Sequence, residues 1–166
     1  GGLIALTGGP QGPVGRLLAN GQRPAAEDLL SRLVGIFSGR LYVELQRHGL
    51  PIEARIESEF ISLADDNGLP LLATNEAFFS DAGMHDAHDA LICIAEGAYV
   101  SQSERRRLTP EHGFKSAAEM RTLFADLPDA VDNTLVVARR CSFMVKPRDA
   151  ILPAYDSGDG RDETDA

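Results

Sequence analysis

The first half of the sequence alternates strand-like and helix-like segments, and this order restricts the fold more than any other feature. Apolar runs at 3–7, 41–45 and 69–73 have the length and composition of buried strands. Between them, residues 24–37 and 52–66 carry apolar side chains at three- and four-residue spacing, which indicates one face of a helix. Strand–helix–strand–helix–strand order predicts parallel strands joined by right-handed crossovers, and therefore an α/β fold.

The pattern of the second half of the sequence predicts that this half is more helical than the first. Residues 86–96 have a helical pattern, and Pro128 opens another helix. Ser116 with Glu119 three residues later is a capping box, which predicts the start of a helix between them. Residues 101–115 are polar and predicted to be irregular. The apolar side of the first of these helices is predicted to consist of Leu91, Ile92 and Ile94.

The end of the chain predicts a linker. Residues 148–166 are predicted to be an acidic, glycine-rich linker, because the final stretch "YDSGDGRDETDA" is almost free of apolar side chains and cannot bury enough surface to fold. The folded part is therefore expected to be residues 1–147. The chain begins Gly1-Gly2-Leu3, without methionine and at the edge of an apolar run, so we expect it to be a piece of a longer protein.

Charge and composition exclude several classes of function. A net charge of −9 argues against this segment gripping nucleic acid by itself, because phosphate binding normally needs a basic face. No apolar run approaches the roughly 18–20 residues of a membrane helix, and no signal peptide opens the chain. The two cysteines, Cys93 and Cys141, are far apart and suggest a reducing cytoplasm rather than a disulfide framework.

Four other segments carry residues of kinds that occur in binding sites. The turn "GGPQGPVGR" lacks the spacing and the lysine of a phosphate-binding loop, so we interpret its glycines as a tight strand-to-helix turn. His85 and His88 share a helical face and could reach one metal ion, or belong to a polar first turn. The basic run 105–107 could meet a phosphate or an acidic partner, or pair with nearby carboxylates. The acidic tail does not have the spacing of a calcium loop.

The ends of the second and third strands carry better candidates. Glu44 is in the second strand, His48 follows it, and Glu76 follows the third strand. Loops at the carboxyl ends of parallel strands build the sites of α/β proteins, and a histidine with a carboxylate there could share one Zn or Mn ion. The alternative is a histidine hydrogen-bonded within a loop and a glutamate that caps the next element.

A family resemblance covers about residues 2–155. The motifs "GLIALTGG", "RLYVELQRHGL", "GLPLLATNEAFF", "AHDALICIAEG", "DNTLVVARRC" and "ILPAYD", in this order, resemble the bacterial DNA polymerase III alpha subunits. The matching part is their polymerase-and-histidinol-phosphatase (PHP) domain. The resemblance implies a distorted barrel of parallel strands, (β/α)7, of which residues 1–147 are the later portion, followed by a linker toward the polymerase core.

The resemblance also allows the metal site to be compared position by position. Members that keep a metal cluster place a cysteine where this chain has Gly9 and a histidine where it has Phe78. His48 matches a ligand histidine, and Glu76 stands where the family has an aspartate. A trinuclear phosphoesterase site needs most of its ligands to activate water. His48 and Glu76 are therefore expected to be remnants of a degenerate Zn or Mn site, and no catalytic residue is expected in this segment.

The resemblance implies a role in chromosomal replication. It suggests a structural and partner-binding scaffold within a Mg-dependent DNA-directed DNA polymerase, on which the proofreading exonuclease subunit epsilon docks. Other replicase subunits, the sliding clamp and DNA would be reached through the parent protein. The alternative is a metal-dependent phosphoesterase with accessory proofreading or pyrophosphatase activity. A free-standing hydrolase unrelated to replication is a weaker third hypothesis, because the match extends far beyond any metal site.

Overall fold

The protein has an α/β fold built on a three-stranded parallel sheet. A computed structural model describes residues 2–148. The predicted linker, residues 148–166, lies outside the described residues except for Arg148. The strands are β1 (Ala5–Leu6), β2 (Leu41–Leu45) and β3 (Leu71–Ala73), in the spatial order β1-β2-β3.

Six α-helices accompany the sheet in the described part of the chain. They are α1 (Pro13–Ala19), α2 (Arg23–Ile36), α3 (Pro51–Asp66), α4 (His85–Glu96), α5 (Ala117–Leu123) and α6 (Pro128–Arg140). Helices α1 and α2 connect β1 to β2, and α3 connects β2 to β3, which confirms the predicted alternation. Among residues 2–148, no helix has both the length and the apolar character needed to cross a bilayer.

The central strand β2 forms the middle of the core. All five of its residues are buried, as expected for a strand with a neighbour on each side and helices over its faces. Helix α3 packs on β2 and α6 packs on β3. Side chains from the helices and from the sheet fill the interior. The largest fully buried ones include Leu30, Val43, Ile56, Leu63 and Phe124.

The edge strand β1 is less buried than predicted. We expected residues 3–7 to be a buried strand, but the ladder covers only Ala5 and Leu6. Leu3 and Leu6 are exposed, while Thr7 is buried. The physical reason is its place in the sheet: β1 pairs with β2 on one side, and no other strand within residues 2–148 pairs with its far side. Thr7 is buried because it already lies in the turn beneath α1.

The glycines of the turn after β1 allow α1 to start close to the strand. A Cβ atom on Gly12 would lie 1.9 Å from the carbonyl oxygen of Thr7, and one on Gly15 would lie 2.2 Å from that of Gly9. These contacts are with backbone atoms, which cannot move aside as a flexible side chain can. The interpretation of "GGPQGPVGR" as a tight strand-to-helix turn therefore has a direct steric cause.

Arg47, just after β2, ties three parts of the chain together. Its guanidinium donates two hydrogen bonds to Glu57 on α3, at 2.7 and 2.9 Å, and two to Asp126, at 2.7 and 2.8 Å. It also donates to the carbonyl oxygen of Leu123 and lies 4.5 Å from the centre of the Phe124 ring. The hydrogen bonds to Asp126, and then to Glu57, raise the pKa of Arg47 above its usual range. Arg47 therefore fixes the α5–α6 connection against the end of the sheet.

Helix α4 packs differently from the sequence prediction. Ile92 and Cys93 are buried, but Leu91 is 62% exposed and Ile94 is 78% exposed. Of the three residues on the predicted apolar side, the described chain therefore covers only Ile92. The helix packs on the short turn Ala82–Met84 before it rather than broadly on the sheet, so only a narrow part of its surface is covered.

The segment after α4 is fastened to that helix by polar contacts. Arg105 makes a forked ion pair with Asp89, at 2.6 and 2.5 Å, and the hydrogen bonds from Arg105 hold the pKa of Asp89 below its usual range. His85 donates from Nε2 to the carbonyl oxygen of Leu108 at 3.0 Å, and its Nδ1 lies 3.0 Å from Asp86. Both partners of His85 are acceptors, and they raise its pKa, Leu108 more than Asp86.

Replacing Arg47 by lysine should destabilise the protein, because an ammonium group cannot make the two forked pairs of a guanidinium. We expect Arg47→Lys to lower the free energy of unfolding by about 2 kcal/mol. Urea unfolding followed by circular dichroism measures this change. Arg32→Lys, at an exposed position of α2, is the matched control and should stay within about 0.5 kcal/mol of the parent. Equal losses in both variants would contradict the role given to Arg47.

The pKa of His85 should lie above its ordinary value of 6.5 in the folded protein. The folded chain then binds this proton more tightly than the unfolded chain. The contribution to stability is therefore complete below pH 6.5 and is lost as the pH rises through the raised pKa. An NMR titration of the imidazole protons measures the pKa, and Asp86→Asn should lower it. A pKa at or below 6.5 in the unaltered protein would be the opposite result.

Candidate functional site

The carboxylate of Glu44 joins the ends of all three strands. Its Oε2 accepts a hydrogen bond from the Gly8 backbone N–H at 3.0 Å, and its Oε1 accepts one from the Thr74 hydroxyl at 2.6 Å. The backbone N–H of Glu44 donates to Thr7 Oγ1 at 2.9 Å. Glu44 is buried in this network. The strand-end carboxylate singled out from the sequence thus has both oxygens engaged by neighbouring strand ends.

His48 is buried beside Glu53, a residue that the sequence analysis did not select. The His48 Nδ1–H donates to Glu53 Oε1 at 2.8 Å, and Oε2 accepts from the backbone N–H groups of His48 and Leu50, at 2.7 and 3.0 Å. Burial raises the pKa of Glu53, but these hydrogen bonds, led by that of the His48 side chain, outweigh burial and leave the pKa below its usual range. Glu53 is therefore an ionised carboxylate that caps α3 and orients the imidazole.

The second ring nitrogen of His48 is engaged by Glu76. His48 Nε2 accepts a hydrogen bond from the Glu76 backbone N–H at 3.2 Å. The Glu76 side chain itself is exposed, and its carboxylate makes no hydrogen bond or ion pair with residues 2–148. The structure therefore brings the two predicted ligand residues together. It does so through the backbone of Glu76, in an arrangement that leaves neither nitrogen of His48 free for an ion.

His112 stacks on His48 and, like Glu53, is a residue of this site that sequence reasoning missed. The two ring centres are 4.0 Å apart, the planes differ by 13°, and His112 is only 3% exposed. His112 Nδ1 accepts from the Thr109 backbone N–H at 3.2 Å, and the Thr109 hydroxyl donates to the His48 carbonyl oxygen at 2.6 Å. Burial, and then the neighbouring His48, hold the pKa of His112 below its usual range.

Phe78 and Gly9, where the resemblance implies lost metal ligands, have specific neighbours in the structure. Phe78 donates its backbone N–H to the His112 carbonyl oxygen at 2.9 Å, and its ring centre is 6.0 Å from that of His112. Gly9 has a φ of +54°, and a Cβ there would lie 2.5 Å from Gln46 Oε1. A cysteine at Gly9 would need strained backbone and a shift of Gln46. Neither position offers a metal-binding atom.

The remaining candidates differ in their surroundings. His85 is hydrogen-bonded to Leu108. The ring of His88 lies near those of Phe78 and Phe79, with centre-to-centre distances of 5.8 and 5.4 Å, and its buried Nδ1 has no hydrogen-bond partner within residues 2–148. In the basic run, Arg105 is paired with Asp89 as described above. Residues 2–148 contain no group of three or more His, Cys, Asp or Glu side chains placed to hold a metal ion.

A cavity of about 390 Å³ lies in front of the stacked histidines. Its walls include Glu76, Phe78 and His112 on one side and Arg106 on another. The guanidinium carbon of Arg106 lies 6.0 Å from the centre of the Phe78 ring. The donor set of this cavity does not fit a multinuclear metal centre, because both ring nitrogens of His48 and the Nδ1 of His112 are bonded to protein groups and the Phe78 ring is part of the lining. Beside this cavity, the carboxyl ends of the strands are joined to one another by hydrogen bonds.

Comparison with known proteins agrees with the fold and with the sequence resemblance. The profile of the PHP domain family matches residues 1–48. The DNA polymerase III subunit alpha of Caulobacter vibrioides is 56% identical over 164 residues, which are 99% of this chain and 14% of that protein. The proteins of the same name from Rickettsia prowazekii and Escherichia coli K12 are 40% and 36% identical over 95% of the chain.

The extent of these matches defines what the chain represents. It spans only 13–14% of the length of these relatives, while nearly all of its own residues are aligned with them. The parallel sheet with helical crossovers is consistent with part of a PHP-type barrel. The chain belongs to the DNA polymerase III alpha subunit family, as a segment of its PHP region.

Proposed function

We propose that this chain is a structural and partner-binding segment of a replicative DNA polymerase and carries out no reaction of its own. The observation that supports this most is the bonding of His48: Glu53 takes one ring nitrogen and the Glu76 backbone takes the other. A histidine held in this way organises two loops instead of an ion. His48 and Glu76 are then remnants of a Zn or Mn site whose other positions are Gly9 and Phe78.

The parent protein supplies the activity in this proposal. We infer that it is a DNA-directed DNA polymerase of the cytoplasm that uses Mg ions and acts with the sliding clamp and other replicase subunits. DNA would be bound by other parts of the parent, because this segment carries a net charge of −9. Within the parent, the segment would provide a rigid surface on which the proofreading exonuclease subunit epsilon docks.

One observation favours the phosphoesterase alternative. Around bound metal ions, a histidine commonly donates its Nδ1–H to a carboxylate while its Nε2 lone pair faces the metal-binding cavity. The Glu53–His48 pair has this form, and the bond from Nε2 to the Glu76 N–H, at 3.2 Å, is the one that an ion would have to replace. A metal measurement separates the two functions.

Metal content of the intact parent protein should be low and independent of His48. We expect elemental mass spectrometry to find far less than one Zn or Mn per protein molecule. His48→Ala should leave the content of both metals unchanged. Near-stoichiometric Zn or Mn in the unaltered protein that falls in His48→Ala would instead support the phosphoesterase function, and hydrolysis of phosphate esters would then be assayed.

The intact parent protein should retain the epsilon subunit in a pull-down. Glu76→Ala is the matched control, because the exposed Glu76 carboxylate has no bond within residues 2–148 whose loss would disturb the fold. We expect the variant to retain as much epsilon as the unaltered parent, since docking in this proposal does not depend on an ion. An unaltered parent protein that retains no epsilon would contradict the scaffold role.

A further inference from the structure

A groove outside the histidine site has no role in the function proposed above. It has a volume of about 500 Å³, within the roughly 300–1,000 Å³ of ligand-binding pockets. Its lining residues come from the turn at Asp81 and Ala82, from the segment 110–115 and from α5. We call it the acidic groove. The apolar part of its lining is Pro110, Phe114, Ala118 and Leu123.

Phe114 presents an exposed ring on a fixed backbone. Its side chain is 72% exposed, but its backbone N–H donates to the Phe79 carbonyl oxygen at 2.9 Å. The preceding residue, Gly113, accepts a hydrogen bond from Asn75 Nδ2 at 2.8 Å. A large ring whose backbone is already ordered loses little entropy when a partner covers it, which is typical of residues that anchor protein interfaces.

The charges around this ring are mostly negative. Asp81, Glu111 and Glu119 line the groove together with one cation, Lys115. The ammonium group of Lys115 is paired with Glu111 Oε2 at 3.0 Å and also bonds to the Glu111 carbonyl oxygen. Hydrogen bonds from Ser116 hold the pKa of Glu119 below its usual range, so this carboxylate is ionised at neutral pH. The groove therefore has two negative charges in excess beside an apolar anchor.

These features select one kind of occupant. Nucleic acid is disfavoured because phosphates would face carboxylates. A second copy of this chain is disfavoured because each copy carries a net charge of −9. An apolar small molecule would leave the excess negative charge of the groove uncompensated. A protein segment that combines an apolar side chain with cationic neighbours complements both the ring and the charges.

We propose that the acidic groove binds a short segment of a partner protein, with a large apolar side chain against Phe114 and Lys or Arg residues beside Glu111 and Glu119. The inference rests on the partner-binding role proposed above, because it names a surface for that role and the chemistry of its partner. Exposed Phe114 is then an anchor of the interface, and the carboxylates determine which segments are accepted.

Peptide binding to the intact parent protein tests the groove. The probes are a fluorescein-labelled peptide, Gly-Lys-Arg-Leu-Phe-Lys-Gly, and its counterpart with glutamate at the three basic positions. Fluorescence anisotropy should show binding of the basic peptide alone. We expect Phe114→Ala and Glu111→Lys each to weaken it about tenfold or more, a loss typical of an interface anchor.

Two variants control for the loss of an exposed aromatic ring and of an exposed carboxylate elsewhere. Phe143→Ala and Glu104→Lys alter exposed residues that do not line the groove, and both should bind the basic peptide as the unaltered protein does. Circular dichroism checks that all four variants are folded. Equal binding of the two peptides, no binding of the basic peptide, or equal effects of groove and control variants would each overturn the proposal.

The same proteins separate this inference from the scaffold role. If the unaltered parent retains epsilon but binds neither peptide, the acidic groove is overturned and the scaffold role stands. If the basic peptide binds in the expected manner while epsilon is not retained, the groove is supported and epsilon is not the partner of this segment.

Discussion

The carboxylate of Glu53 is the group on which the arrangement of the histidine site depends. It lies in the first turn of α3 and accepts three hydrogen bonds from the preceding loop, two from His48 and one from Leu50. One side chain therefore caps a helix, closes a loop and selects the tautomer of a buried imidazole. Because His48 is fixed in this way, its Nε2 meets the Glu76 backbone and its ring forms the platform for His112. His48, held by Glu53, thus connects the end of β3 with the segment after α4.

Glu44 also joins separate parts of the chain, at the ends of the strands themselves. A buried carboxylate without partners is costly, but both oxygens of Glu44 accept hydrogen bonds, from Gly8 at the end of β1 and from Thr74 at the end of β3. These contacts join residues 36 and 30 positions apart in the sequence. The carboxyl edge of the sheet is thus held by protein donors.

The sequence alone predicts those strands and helices whose apolar pattern matches their burial in the structure. The bounds of β2 agree with the prediction, α3 begins one residue earlier than predicted, and the parallel order follows from the alternation. Leu91 and Ile94 lie on the predicted apolar side of α4 but are exposed. Periodicity shows that a helix has an apolar side, but it does not show whether the described chain covers that side. His112 was missed because residues 101–115 have no pattern. Its burial depends on Thr109 bonding to His48, a contact between residues 61 positions apart.

The described chain has two parts that are held together by different kinds of contact. The sheet with α1, α2, α3 and α6 is held by a continuous apolar core. Helix α4 and residues 101–115 are held mainly by polar contacts, among them the Arg105–Asp89 pair and the bond from Thr109 to His48. A part with few buried apolar contacts opens locally more readily than a packed apolar core. Phe114 lies in the part held by polar contacts, but its backbone is bonded to Phe79. The surface proposed to bind a partner therefore has its aromatic anchor on a backbone that is held in place.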